Sequence, residues 1–340
     1  MSTSLYADLL IRVLKREEQG YPIELTLNNR LHFRRGYVKS SIAQWTPGPF
    51  ATEAGLHLFQ RLMEDEQVAS AWAMVQGNAP QRRIRLNIDA DAAELHSLPW
   101  ELLCDPGDAA SGVNINLAAA DATPFSRYLP VPLDYPPPPS DHRLKVLVAI
   151  ANPARLHERF GLPPIDVEAE WEALRHATEG LNVELRLTPQ PCTLEAIEEG
   201  LMAGAHVLHL VAHGIWSASE RKAVILLANR NNQVRFLHAE EHAEALARRL
   251  RDATASAADQ ATLRLVYLSS CLSATQSPTD AFAAFAPRLV QAGVPAVLAM
   301  QDLIPVESAA SLLPGLLSPI AEPWPGRFGR QPGARDPAGR

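Results

Sequence analysis

Cysteine is scarce in this chain of 340 residues, and its number is odd. The three cysteines, Cys104, Cys192 and Cys271, are widely separated in the sequence. Small secreted domains that depend on disulfides carry many cysteines in even number. The count therefore fits free thiols in a reducing compartment, which we expect to be the cytoplasm, better than a disulfide framework.

The chain also lacks a long hydrophobic run. No apolar stretch reaches the roughly 20 residues needed to cross a bilayer, so we expect no membrane span. Residues 1–20 carry acidic and basic side chains throughout, unlike a secretory signal peptide. The net charge of -7 argues against nucleic acid and anionic membranes as partners. Apolar residues make up 47% of the chain, which is enough for a sizeable globular core.

Two short apolar runs stand out from the rest of the sequence. The first, residues 207–212, ends at His213 and Gly214, and the second, residues 263–268, breaks into small polar residues at Cys271. Both are rich in branched or aromatic side chains and bounded by turn-formers, which is typical of strands buried on both faces. Helical sequence lies between them, so we expect two parallel strands of one α/β sheet.

A histidine and a cysteine follow these strands at the edge where open α/β sheets place their chemistry. His213 and Cys271 would each lie just past the carboxyl end of a strand, in the layout of a base and a nucleophile. The backbone N–H of Gly214, unshielded by a side chain, could bind an oxyanion. Each residue also has a simpler interpretation, with Cys271 as an inert core residue and His213 as a hydrogen-bonded core histidine.

A metal site is the competing interpretation of the first run. His206, His209 and His213 share one face if the segment is helical, whereas in a strand His206 points away from the other two. The β-branched content, the short length and the glycine stop favour a strand. We therefore predict neither a three-histidine metal site nor a cofactor.

Two acidic residues give a weaker signal. Asp302 and Glu307 follow a third predicted strand, residues 296–300, at the same edge of the sheet. There they could offer negative charge to a basic substrate side chain. The simpler interpretation of each residue alone is a surface acid at the start of a helix.

A proline-rich segment divides the chain. Residues 131–142 predict a semi-rigid linker between an accessory α+β half, residues 1–130, and a more regular α/β half, residues 143–318. Residues 319–340 are rich in proline, glycine and arginine and predict an unfolded tail.

The accessory half has local signals of its own. Tyr21–Leu27 alternates as a strand does and leads into a turn at Asn28 and Asn29, while Ala54–Met63 has the period of a helix. The run from Leu98 to Glu101 carries no catalytic chemistry. It predicts a packing element with Trp100 buried.

Four blocks of sequence, in this order along the chain, resemble the CHAT family, a group of caspase-like domains related to the separases. The blocks are Leu98–Pro106, His209–Gly214, Tyr267–Cys271 and Ala292–Gln301. The resemblance covers about residues 80–310. The histidine also precedes the cysteine by a distance near the roughly 50 residues seen in caspases.

The resemblance implies a caspase-like three-layer α/β sandwich, with a mostly parallel sheet flanked by helices, and cysteine endopeptidase chemistry. Cys271 would be the nucleophile and His213 the base. The N–H groups of Gly214 and Cys271 would bind the oxyanion. The substrate would be a protein partner, cleaved in a bacterial defence or cell-death circuit.

Two departures from the family pattern favour a second interpretation. Relatives recognise a basic substrate residue through an acid at a position that falls here on Val306, so Asp302 or Glu307 would have to replace it. Relatives also continue with further helices where this chain has its Pro/Gly/Arg tail. A catalytically inactive CHAT-type interaction or scaffold module is therefore the alternative to a peptidase.

Overall fold

The computed structural model describes residues 6–46, 50–89, 91–96, 98–107, 113–128, 143–217, 222–238, 248–249, 252, 263–269, 286–291, 293–299 and 315–317. Sheets and helices are mixed along these segments, which confirms an α/β protein. The chain divides into two compact units, Met1–Pro130 and Val131–Arg340.

The first unit is built on a mixed sheet. Its strands are β1 (Ala7–Val13), β2 (Tyr21–Leu27), β3 (Leu31–His32), β4 (Gly36–Val38), β5 (Arg82–Ile88), β6 (Cys104–Asp105), β7 (Ile115–Asn116) and β8 (Phe125–Arg127). Its helices are α1 (Ala51–Leu62), α2 (Glu66–Asn78) and α3 (Ala93–His96), with 3₁₀ turns at Ser40–Gln44 and Trp100–Leu102. The main sheet has the order β3-β2-β1-β5-β8, β4 pairs with β2, and β6 and β7 form a separate ribbon.

The hydrophobic pattern of this unit accounts for its layers. Alternate residues of β1, such as Leu9 and Ile11, enter a core with Leu58 and Leu62 of α1. The helix prediction for this region is confirmed, because residues four apart in α1 lie on its buried face. The opposite face of the sheet carries charged side chains, among them Arg12. One sheet face is therefore apolar and covered, and the other is polar.

The predicted turn after β2 is confirmed in detail. Asn28 and Asn29 both have positive φ, 52° and 57°, and the Arg30 N–H donates to Leu27 O at 3.1 Å. Asparagine tolerates this left-handed conformation better than most residues, which is why an Asn pair predicts a tight hairpin turn.

Trp100 is fully buried in the first unit, as predicted. Its exposed fraction is 0%, and the indole Nε1–H donates to Leu95 O at 2.7 Å. The neighbouring Glu101 accepts two bonds from Arg127, which also donates to the carbonyl oxygens of His96 and Leu98. The element around Trp100 is therefore fixed both by burial and by a forked ion pair.

The second unit is built on a parallel sheet. Its strands are β9 (Leu144–Ile150), β10 (Val183–Leu187), β11 (Val207–Val211), β12 (His213–Ser217), β13 (Lys222–Ala228), β14 (Val234–His238), β15 (Leu265–Ser269) and β16 (Val297–Ala299). Its helices include α4 (Leu156–Phe160), α5 (Val167–Ala177) and α6 (Leu194–Met202). Among the described strands, β10, β9, β11, β15 and β16 lie side by side in that order, all parallel.

The side chains of β11 alternate between two cores, one on each face of this sheet. Val207 and Val211 pack with Leu174 of α5. Leu208 and Leu210 pack with Ile197 of α6. A strand covered on both faces needs apolar residues at successive positions, which explains the continuous run in the sequence.

A second, antiparallel sheet begins where β11 ends. The order is β12-β13-β14, and β12 starts at His213, only two residues after β11. The expected stop at His213 and Gly214 is therefore a break of one residue, Ala212, after which the chain continues as a strand of another sheet. β13 and β14 form a hairpin, with Asn232 in its turn at φ 58°.

No helix in the described part of the chain is long and apolar enough to cross a membrane.

Candidate functional site

The candidate site lies at the carboxyl ends of β9, β11 and β15. One row of the sheet joins Ile150, Val211 and Ser269, the last residues of these three strands. Two further bonds continue the ladder, from Ala151 N–H to Val211 O at 2.8 Å and from Ala212 N–H to Ser269 O at 3.1 Å. The prediction that β11 and β15 are parallel strands of one sheet is confirmed, and the two strands are direct neighbours. Open parallel sheets bind their ligands at this edge.

His213 is held at this edge as a buried, oriented imidazole. Its exposed fraction is 1%, and its Nε2 lies 2.8 Å from Pro163 O. A carbonyl oxygen can only accept, so this bond places the ring proton on Nε2. Nδ1 then carries the lone pair, and it has no hydrogen-bond partner among the described residues.

The electrostatic environment keeps the His213 ring neutral. Burial lowers the pKa of His213 below its usual value, and the bond to Pro163 O opposes this shift. A neutral imidazole with a free Nδ1 can take up a proton, as a general base must.

Pro163 was not predicted from the sequence. It lies in the segment between α4 and α5, 50 residues before His213 in the chain, and contributes only its backbone oxygen. Every residue carries such an oxygen, so no residue type could have marked it.

Gly214 is buried in β12, directly after His213, and lies opposite Ile225 of β13. Cys271, Asp302, Val306 and Glu307 lie outside the described residues, and so does the predicted tail, residues 319–340. The described part of β15 ends at Ser269, two positions before Cys271 in the sequence.

The other two cysteines lie in cores. Cys104 and Cys192 are free thiols with exposed fractions of 1% and 0%. Burial raises the pKa of Cys192 to about 11 and that of Cys104 above its usual value. Thiols with raised pKa values are poor nucleophiles at neutral pH, so neither is a candidate for covalent chemistry.

The three histidines of the first apolar run have three different environments. His206 accepts a bond at Nδ1 from Lys145 N–H, 3.0 Å away. His209 stacks on Tyr267, with ring centroids 4.5 Å apart. His213 faces Pro163 O. Among the described residues, no three His, Cys, Asp or Glu side chains are grouped as a metal site requires.

The family of the chain follows from comparison with known domains. The model of the CHAT domain matches residues 52–325. The chain belongs to the CHAT domain family. The match takes in both His213 and Cys271, as well as the buried element around Trp100. No curated protein sequence matches the chain.

Proposed function

We propose that this protein is a caspase-like cysteine endopeptidase whose catalytic dyad is Cys271 and His213. The observation that carries the proposal is the His213 ring, which is oriented by Pro163 O with Nδ1 left as proton acceptor. Family membership supports a caspase-like sandwich. The parallel sheet, with α5 packed on one face and α6 on the other, agrees with that architecture.

The register of the sheet supports the pairing of the two residues. Val211 and Ser269 lie opposite each other, and His213 and Cys271 each follow two positions later. Neighbouring strands are about 4.8 Å apart, so the segments that carry His213 and Cys271 begin from adjacent points at one edge of the sheet. We propose that the imidazole and the thiol meet at this edge.

The proposed reaction needs only these groups and water. His213 Nδ1 takes the proton of the Cys271 thiol, and the thiolate attacks the carbonyl carbon of the substrate peptide bond. The N–H groups of Gly214 and Cys271 stabilise the oxyanion of the tetrahedral intermediate. The C–N bond then breaks, and His213 gives its proton to the leaving amine. Water, deprotonated by His213, cleaves the thioester and restores the thiol.

Substrate recognition is proposed to involve a basic side chain. Asp302 and Glu307 follow β16, which lies next to β15 at the same edge of the sheet. Either acid would supply the charge that Val306 cannot. We expect Asp302→Ala and Glu307→Ala to weaken the preference for Arg or Lys before the cleaved bond, measured as the ratio of kcat/KM for basic and neutral peptides.

The domain organisation is part of the proposal. Residues 1–130 form the accessory half, residues 131–142 a linker, residues 143–318 the catalytic half and residues 319–340 a tail. The two compact units, which meet between Pro130 and Val131, support the first of these boundaries.

The test is active-site labelling of the full chain. The probe is a peptide with Arg or Lys as its last residue and a thiol-reactive group at its carboxyl terminus. One probe molecule should attach to each protein chain, at Cys271, as shown by intact mass and peptide mapping. His213→Ala should abolish labelling, because an unactivated thiol reacts slowly. Cys192→Ala is the matched control and should label like the wild type, since Cys192 is a core thiol.

Cleavage of the physiological partner separates the peptidase from the interaction module. Cys271→Ala should abolish cleavage and leave the melting temperature almost unchanged, because removal of the nucleophile closes the covalent route. His213→Ala should have nearly the same effect on cleavage, since a base and its nucleophile act as a unit. Normal partner binding and full cellular activity in Cys271→Ala would refute the peptidase and establish a non-enzymatic scaffold.

A further inference from the structure

We infer that Asn152 is a positioning residue for His213, acting through the loop that carries Pro163. Ile150 and Val211 lie opposite each other in the sheet. Asn152 follows Ile150 by two residues, just as His213 follows Val211. The two side chains therefore follow neighbouring strands at one edge of the sheet. As far as catalysis is concerned, the inference rests on the proposed function.

The contact that carries the inference closes the loop of residues 152–165. Asn152 Oδ1 accepts from Ile165 N–H at 3.1 Å, across 13 positions of the chain. Pro163 O, two residues before Ile165, accepts from His213 Nε2–H at 2.8 Å. Asn152 is half-buried and Ile165 is buried, so the bond is largely shielded from water.

The sequence of the loop explains why this one bond matters. Residues 163 and 164 are both proline and have no N–H to donate. The N–H of Ile165 is therefore the first backbone donor after Pro163 O that can fix this part of the loop. Asn152 Oδ1 accepts the hydrogen bond from this N–H.

The remainder of the loop is anchored independently. Leu156 and Leu162 are buried against Leu226 of the antiparallel sheet, and the Ala154 N–H donates to Asn232 O at 2.7 Å. These contacts hold the loop around α4. The segment from Pro163 to Ile165 is held by the bond to Asn152, by the bond to His213 and by the burial of Ile165, and α5 begins directly after it.

Loss of the Asn152 bond should therefore free Pro163 O without unfolding the loop. Pro163 O selects the His213 tautomer with the proton on Nε2. Without a fixed acceptor, both tautomers become populated, and the fraction with Nδ1 as proton acceptor falls. The physical effect is on the position of one proton, and a role in stability alone would not produce it.

The test is ¹⁵N NMR of the imidazole rings in the full chain, at a pH where His213 is neutral. The nitrogen chemical shifts show which ring nitrogen of His213 carries the proton. His213→Gln identifies the His213 signals. The wild type should show Nε2–H for His213. Asn152→Ala and the larger Asn152→Leu should both shift the ring nitrogens toward a mixture of tautomers. Asn152→Asp, which keeps an oxygen acceptor, should retain Nε2–H.

Gln190→Ala is the matched control. Gln190 Nε2 donates to Ile150 O at 3.1 Å, so this variant also loses a side-chain bond at the end of β9 but leaves the loop untouched. It should keep the wild-type tautomer. Asn152→Leu replaces Asn152→Ala in the comparison if the smaller side chain prevents folding.

Activity forms a separate arm of the experiment. With the thiol-reactive peptide, the second-order rate of labelling should fall roughly tenfold in Asn152→Leu, equivalent to about 1.4 kcal/mol, and recover in Asn152→Asp. An unchanged Nε2–H signal in both Asn152→Ala and Asn152→Leu overturns the inference, whatever the activity. A tautomer shift in a protein that no probe labels supports the inference and refutes only the peptidase.

Discussion

Replacing His209 by phenylalanine should remove a proton-linked loss of stability at acid pH. The His209 ring is 2% exposed and stacks on Tyr267, with an interplanar angle of 14°. Neither ring nitrogen has a hydrogen-bond partner among the described residues. Burial lowers the pKa of His209 from 6.5 to about 3, because a charged ring would lose its hydration without gaining a partner.

The sign and size of the effect follow from proton linkage. The unfolded chain binds a proton at this residue near pH 6.5, whereas the folded chain binds it only near pH 3. The stability supplied by neutral His209 is therefore complete above pH 6.5 and is lost as the pH falls toward 3. The full loss is about 5 kcal/mol, and between pH 7.5 and pH 5 it is about 2 kcal/mol.

Urea unfolding at pH 7.5 and pH 5, followed by circular dichroism, measures this loss. His209→Phe should lose about 2 kcal/mol less than the wild type over the interval, since phenylalanine does not titrate. At pH 7.5 the variant should unfold with a free energy within about 2 kcal/mol of the wild type, because the cost of the larger phenyl ring is opposed by the loss of two buried nitrogens without partners. His157→Gln, at an exposed histidine of the same unit, controls for the loss of a histidine. An equal pH-dependent loss in His209→Phe and wild type would refute the reasoning.

Three further predictions concern the first unit and the linker. Trp100→Ala should lower the free energy of unfolding by about 3–5 kcal/mol in urea titrations, since it leaves a cavity and removes the indole bond to Leu95 O; a neutral effect would show that Trp100 is not a core residue. Gly55→Ala should destabilise by about 1–3 kcal/mol although alanine favours helices, because a Cβ would overlap Leu102 O. Gly77→Ala, with open space at the same atom, should stabilise by about 0.5–1 kcal/mol, and equal effects at the two glycines would contradict the packing of α1. Limited digestion with proteinase K should cut first within residues 131–142 and release two resistant fragments of the sizes that this boundary predicts; first cuts inside β1 or β9 would contradict it.

Much of the fold was determined by local sequence. The runs at β11 and β15 predict buried parallel strands because each needs apolar side chains on both faces, and both strands are confirmed. The Asn28–Asn29 turn follows from the tolerance of asparagine for positive φ. The burial of Trp100 follows from the size of the indole in an otherwise apolar element. Position just after a strand also made His213 and Cys271 candidates, although only His213 lies among the described residues.

Only the tertiary structure determined the orientation and the tautomer of His213, the candidate base. The tautomer of His213 depends on Pro163 O, and that oxygen depends on the bond between Asn152 and Ile165, in a loop 50 residues earlier in the chain. Local propensity carries no information about such contacts, because they join residues that only the pairing of β9 and β11 brings to one edge of the sheet. The strand β12 was not predicted for the same reason. It pairs with β13 in a separate sheet, and the sequence next to β11 does not show that pairing. Side-chain type shows which residues can do chemistry, whereas the acceptor that fixes the His213 proton is a backbone carbonyl oxygen, a group that every residue carries.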